Sequence, residues 1–151
     1  MLNSLDWKKF FSPNSIDAML SEHVLEHLTE EQALKALKNS YEYLKQGGYY
    51  RIAVPDGNHP EPSYIDYVNV DGTGPGSDDH KVLYTYNSLK NILEKVGFEV
   101  QPLEYFDEDG TFHYSEWSVE QGTIMRSKRF DDRNKNKPLS YTSIIVDAYK
   151  K

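Results

Sequence analysis

The 151 residues include no cysteine. That excludes disulfides, thiolate metal sites and cysteine nucleophiles, and it favours a reducing compartment. No apolar run approaches the ~18 residues that a helical membrane span requires. The opening MLNSLDWKKFF lacks the basic-then-apolar pattern of a secretion signal. A cytoplasmic protein without membrane attachment is therefore expected. Basic residues are in deficit, 17 against 24 acidic, for a net charge of −7. Phosphate backbones bind basic surfaces, so no nucleic-acid partner is expected. One stretch runs the other way: residues 126–137, RSKRFDDRNKNK, hold six basic residues. It reads as a solvated loop, with Arg126, Arg129 and Arg133 available to an anionic substrate. Aromatics are plentiful, with twelve tyrosines and six phenylalanines. Some must be core, and others can line a pocket.

The length suits a single domain over residues 1–151, large enough to build its own core. SIDAML, from Ser15, reads as a buried strand. SEHVLEHL follows, then a helix opening at Thr29. Thr29 and Gln32 have capping-box spacing, and Glu30 and Glu31 face the helix dipole. Leu34, Leu37, Tyr41 and Leu44 form one apolar face, and Gly47 is positioned to be the left-handed cap. YYRIAVP is a strand ended by Pro55. Residues 56–83, rich in Gly, Pro, Asp and Ser, read as a long loop, and loops of that length are usually functional or mobile. A second helix carries Leu89, Ile92, Leu93 and Val96, with Gly97 as its cap. FEVQPLEYF is a strand, FDEDGTF a turn, and TSIIVDAYK, from Thr142, the last strand. Alternating strands and helices imply an α/β sheet with right-handed crossovers.

The octet SEHVLEHL holds two histidines and two glutamates. His23, Glu26 and His27 spell H-x-x-E-H, so a zinc hydrolase with both imidazoles on one helix face is one alternative. A second is a binding site, because the octet follows the C-terminal end of a strand, where α/β sheets place their ligands. The plainest is a solvated pair of glutamates beside hydrogen-bonded histidines.

The run from "SIDAMLSEHVLEHL" through "LKQGGYYRIAVPDG" resembles the second half of class I S-adenosylmethionine-dependent methyltransferases. "DDHKVLYTYNSLKNILEKVGFEV" and "RFDDRNKNKPLSYTSIIVDAYK" are similar to a bacterial subgroup of that family. The resemblance covers nearly all of residues 6–150. It implies an α/β, Rossmann-like sheet of strands four to seven with flanking helices, the last strand antiparallel and inserted between the fifth and sixth. It implies S-adenosylmethionine as cofactor, once the cleft is completed, and a small-molecule or sugar-type methyl acceptor. By resemblance, Ser21, Glu22 and His23 flank the methionine part of the cofactor. His23 or His27 serves as base, and Asp56 and His80 stand on the substrate side. The family's glycine-rich cofactor loop follows its first strand. Only 15 residues precede Ile16, too few for one βαβ unit, so the chain is expected to be a truncated methyltransferase-like domain or one completed by a partner. Gly72 to Ser77, GTGPGS, is expected to be a flexible loop without cofactor-binding function. Two further expectations follow. The bare strand from Ile16 to Leu20 recruits a second copy into a homodimer, and a non-catalytic dimerising module is the alternative to an enzyme.

Overall fold

The computed structural model describes residues 6–135 and 139–151. Lys137, within the basic stretch, lies outside them. Among the described residues five strands form one sheet: β1 (Ile16–Glu22), β2 (Leu44–Pro55), β3 (Phe98–Phe106), β4 (Phe112–Tyr114) and β5 (Ser143–Lys150), in the order β1-β2-β5-β3-β4. β1 and β2 are parallel, and β5 runs antiparallel to both β2 and β3. The last strand of the chain is thus inserted between β2 and β3, as the resemblance implied. The described residues include three α-helices: α1 (Glu30–Tyr43), α2 (Pro62–Val68) and α3 (Tyr86–Val96).

The local chemistry of α1 and α3 accounts for their limits. Thr29 and Thr85 each close a capping box, with Gln32 and Ser88 respectively. Gly97 ends α3 at φ +115°, a conformation that costs glycine nothing. Gly47, expected to cap α1, does not. α1 ends at Tyr43, and the chain passes directly into an extended Leu44. Gly47 (φ +75°) lies instead within β2, where the β1–β2 register shifts between Ile16 and Ala18. A left-handed glycine serves a bulge as well as a cap.

Side-chain alternation along β2 and β5 sorts the interior into two layers. Tyr50, Ile52 and Val54 of β2 join Ile144, Val146 and Ala148 of β5 on one face, packed against Leu37 of α1 and Leu89 and Leu93 of α3. On the other face Ala53 and Ile145 meet Leu103, Trp117 and Ile124. That second face is covered by the long connection between β4 and β5 and not by a helix. Irregular backbone needs hydrogen-bond partners when it is buried, and charged residues of the sheet supply them. Arg51 Nη1 donates to the carbonyls of Ser118 and Gly122 at 3.0 and 2.7 Å. Glu104, fully buried, accepts from Trp117 Nε1, the Lys128 amide and Thr142 Oγ1.

The 56–83 segment holds more order than its composition suggests. α2 lies inside it, opened by Pro62. The GTGPGS turn, expected to be flexible, is folded back onto α2: the Thr73 and Gly74 amides donate to the Asp66 and Tyr67 carbonyls, each at 2.9 Å.

Candidate functional site

The parallel strands β1 and β2 end on the same side as β5 begins, since Pro55 pairs with Ser143. Three segments meet there. The octet leaves β1 through His23, whose φ of +53° turns the chain sharply. The His23 amide donates to the Ala53 carbonyl at 2.9 Å, which fixes the turn. The loop after α2 comes next, because the amides of Lys81 and Val82 donate to the Glu26 carbonyl at 2.7 and 3.3 Å. Those two bonds carry His80 over the octet. The connection before β5 closes the third side, as the Glu22 carboxylate accepts from the amides of Met125 and Arg126 at 3.2 and 2.6 Å.

These segments enclose a cavity of about 160 Å³ whose lining includes His23, Tyr67, His80, Arg126, Arg133 and Tyr141. A wider groove of about 550 Å³ adjoins it, sharing Tyr67, Arg133 and Tyr141. Arg133 is held by Asp131 through bonds of 2.7 and 2.6 Å and lies over the Tyr141 ring. Arg126 is half-exposed and only loosely paired, 3.9 Å from Glu22. It is the freer of the two cations lining the cavity.

His23 and His80 line the cavity, and Glu26 and His27 lie beside them. Ser143 Oγ donates to the Arg126 carbonyl at 2.8 Å, so it must accept from His23 Nε2 at 2.9 Å. His23 therefore carries its proton on Nε2 and turns a lone pair at Nδ1 toward Glu26 Oε1, 3.4 Å away. Burial, with Arg126 next, holds the His23 imidazole well below its ordinary value. Burial pushes the Glu26 carboxyl up to about 7. Glu26 is fully buried, and neither carboxylate oxygen has a hydrogen-bond partner. The His27 and His80 rings meet edge to face at 4.8 Å.

The expected site residues divide accordingly. His23, His27 and His80 come together, although His80 lies far along the chain. Ser21 stands at the rim, but its hydroxyl accepts from Tyr50 Oη at 2.9 Å. Glu22 is at the rim too, its carboxylate spent on the two amides above. Asp56 is set apart and fully buried. Its carboxylate accepts from the Phe106 and Asn58 amides at 2.7 and 3.0 Å, and burial raises it to about 6. The H-x-x-E-H pattern is not on an α-helix. His23 sits in the left-handed turn, and Glu26 and His27 fall in a short 3₁₀ turn, Leu25–His27. The paired imidazoles of the zinc-hydrolase alternative are thus not set on one helix face. Sequence reasoning passed over Tyr67 and Tyr141, for which only the general aromatic excess gave a signal.

By resemblance, the rim from Ser21 to His23, at the end of β1, is the part assigned to the methionine end of the cofactor. Among the described residues no glycine-rich turn joins a strand to a helix. Gly74 is packed on α2, where a Cβ would lie 2.5 Å from the Tyr67 carbonyl oxygen.

A family model described as a methyltransferase domain matches residues 5–52. No curated protein sequence matches the chain significantly. Among solved structures, a SAM-dependent methyltransferase from Thermotoga maritima aligns with a TM-score of 0.59 at 18% identity, over 100% of this chain and 61% of its own. One from Archaeoglobus fulgidus gives 0.55 at 20% identity, over 96% and 64%. One from Methanosarcina mazei gives 0.57 at 14%, over 99% and 64%. The chain therefore spans less than two thirds of these relatives' lengths. The chain is thus similar to a methyltransferase domain over residues 5–52, and its fold is that of the SAM-dependent methyltransferases it aligns with.

Proposed function

We propose that this chain forms the acceptor side of a methyltransferase acting on a small anionic molecule. The observation that carries the reading is the cavity at the ends of β1 and β2, lined by Arg126 and Arg133 together with His23 and His80. A carboxylate or phosphate on the acceptor is recognised by the guanidinium groups, Arg126 being the one with donors to spare. The exposed aromatic ring of Tyr67 offers a platform for a sugar or other small ring.

S-adenosylmethionine, when bound, supplies an electrophilic methyl group. The protein's own task is to align the nucleophile and take up its proton. The rim from Ser21 to His23 is where the methionine end is held, through backbone groups, since the Ser21 and Glu22 side chains are engaged elsewhere. The proton passes to the histidines beside the cavity, next to Glu26, whose carboxyl burial raises to about 7.

Two copies are proposed to pair along β1. Among the described residues its outer edge has no neighbouring strand, and Ala18 and Leu20 on it are exposed.

Calorimetric titration of the 151-residue chain with S-adenosylmethionine tests the reading. Micromolar binding is expected, followed by methyl transfer to some member of a panel of carboxylate, phosphate and sugar acceptors. Arg126→Ala is expected to raise KM for an anionic acceptor with less change in kcat. Absence of cofactor binding sinks the proposal.

A further inference from the structure

We propose that Glu26, His27 and His80 form a binding site for a divalent first-row metal ion, of the zinc class. One carboxylate oxygen and one imidazole nitrogen from each histidine lie within 4.8 Å of one another. This is a different triad from the one the sequence pattern suggests: His80 replaces His23, and it comes from a loop held in place by the amides of Lys81 and Val82 on the Glu26 carbonyl.

The surroundings of each donor prepare it for a cation. His80 Nδ1 lies 2.7 Å from the Val68 carbonyl oxygen. A carbonyl only accepts, so Nδ1 carries the proton and Nε2 keeps its lone pair. His27 Nδ1 faces Asp79 Oδ2 at 3.4 Å, which selects the same tautomer. Metal-bound histidines usually show this arrangement, the second nitrogen donating to a carbonyl or carboxylate. Glu26 is fully buried with both oxygens unpartnered. A buried carboxylate without a partner is costly. The lone pair on His23 Nδ1, 3.4 Å from Glu26 Oε1, adds a second negative element instead of a donor. Something positive, either a proton or a metal ion, must satisfy this group.

Two imidazoles and one carboxylate are a donor set suited to zinc or a neighbouring transition metal, with a coordination position left for substrate or water. Bonds of about 2.1 Å in tetrahedral geometry set donors roughly 3.4 Å apart, so the three side chains must close on the ion by about 1 Å. His27 is part-exposed at the surface and can move most readily. His80 also lines the cavity, so the metal site borders the proposed acceptor site. An acceptor hydroxyl coordinated there has its acidity raised by the ion and gives up its proton, with His23 the histidine of the cavity left free to take it, before it attacks the methyl group. That consequence rests on the proposed methyl transfer, whereas the metal site does not.

The test uses the full chain, stripped with a chelator and titrated with Zn²⁺ by calorimetry. One equivalent at micromolar affinity or better is expected, with a rise in Tm. Glu26→Gln and His80→Ala each weaken binding by about tenfold or more, while His113→Ala, away from the cluster, leaves it unchanged. His27→Ala serves if either buried variant fails to fold. Less than a tenth of an equivalent bound, or binding that survives these variants, overturns the site and leaves a protonated Glu26 as its explanation. S-adenosylmethionine titration in the presence of the chelator is read separately, so failure of the metal site and failure of the methyltransferase reading are distinguishable.

Discussion

Arg51 and Asp147 stand opposite each other on β2 and β5, joined by two hydrogen bonds of 2.7 Å with the guanidinium wholly buried. The third arm of Arg51 holds the Ser118 and Gly122 carbonyls, and its Cζ lies 5.1 Å from the centroid of the Trp117 ring. One residue thus ties two strands to the connection that leads to Arg126. Removing one partner of such a pair strands a buried charge, at about 3–5 kcal/mol. Asp147→Ala is therefore expected to lower unfolding free energy by that amount in urea titration. The double variant Arg51→Met with Asp147→Leu should recover much of it. Equal loss in the single and double variants would contradict this account.

Asp56 makes stability depend on pH in a definite direction. Its folded value of about 6 exceeds the ordinary 3.8, so the folded protein binds the proton more tightly than the unfolded chain. The contribution is full below about pH 4, is lost as pH rises to about 6, and is constant above. At 1.36 kcal/mol per unit the change is about 3 kcal/mol at most. Asp56→Asn should remove it, so the difference in unfolding free energy between the variant and the parent should drift between pH 4 and 6 and level off above. A flat difference across that window would mean that Asp56 titrates normally in the fold.

Gly74 permits the close approach of the GTGPGS turn to α2. A Cβ there would lie 2.5 Å from the Tyr67 carbonyl and 2.9 Å from its ring. Backbone cannot yield as a flexible side-chain end can. Gly74→Ala is expected to cost about 1–3 kcal/mol and to displace Tyr67 from the cleft. Thermal unfolding gives the first effect, and weakened acceptor binding the second. An unchanged Tm would show that the turn is free to shift.

Pairing along β1 is testable by sedimentation. The chain is expected to be a dimer at micromolar concentration, and Ala18→Lys to make it monomeric, because a charge on an exposed edge opposes strand addition. A monomeric parent would remove the proposal.

The elements most legible in the sequence were those with a strong period and chemical end markers. β3 occupies the stretch read as a strand, and α3 buries Leu89, Ile92 and Leu93 up to its glycine cap. α2 and β4 were not anticipated, because seven and three residues are too few to show a period. Gly47 was misplaced for another reason: a left-handed residue suits a helix end and a bulge equally.

The candidate site was legible only in part. His23, Glu26 and His27 were visible as a dense octet, and the strand before it indicated the functional end of the sheet. Composition and local pattern determined the α/β class, the two capped helices and the octet, since those depend on residues within a few positions of one another. The tertiary structure alone decided that His23 turns its lone pair on Glu26, that Glu22 and Asp56 spend their carboxylates on backbone amides, and that His80 rests against Glu26 and His27. Those outcomes depend on which buried donors find which acceptors once the chain is packed, and such pairings are between segments the sequence keeps far apart.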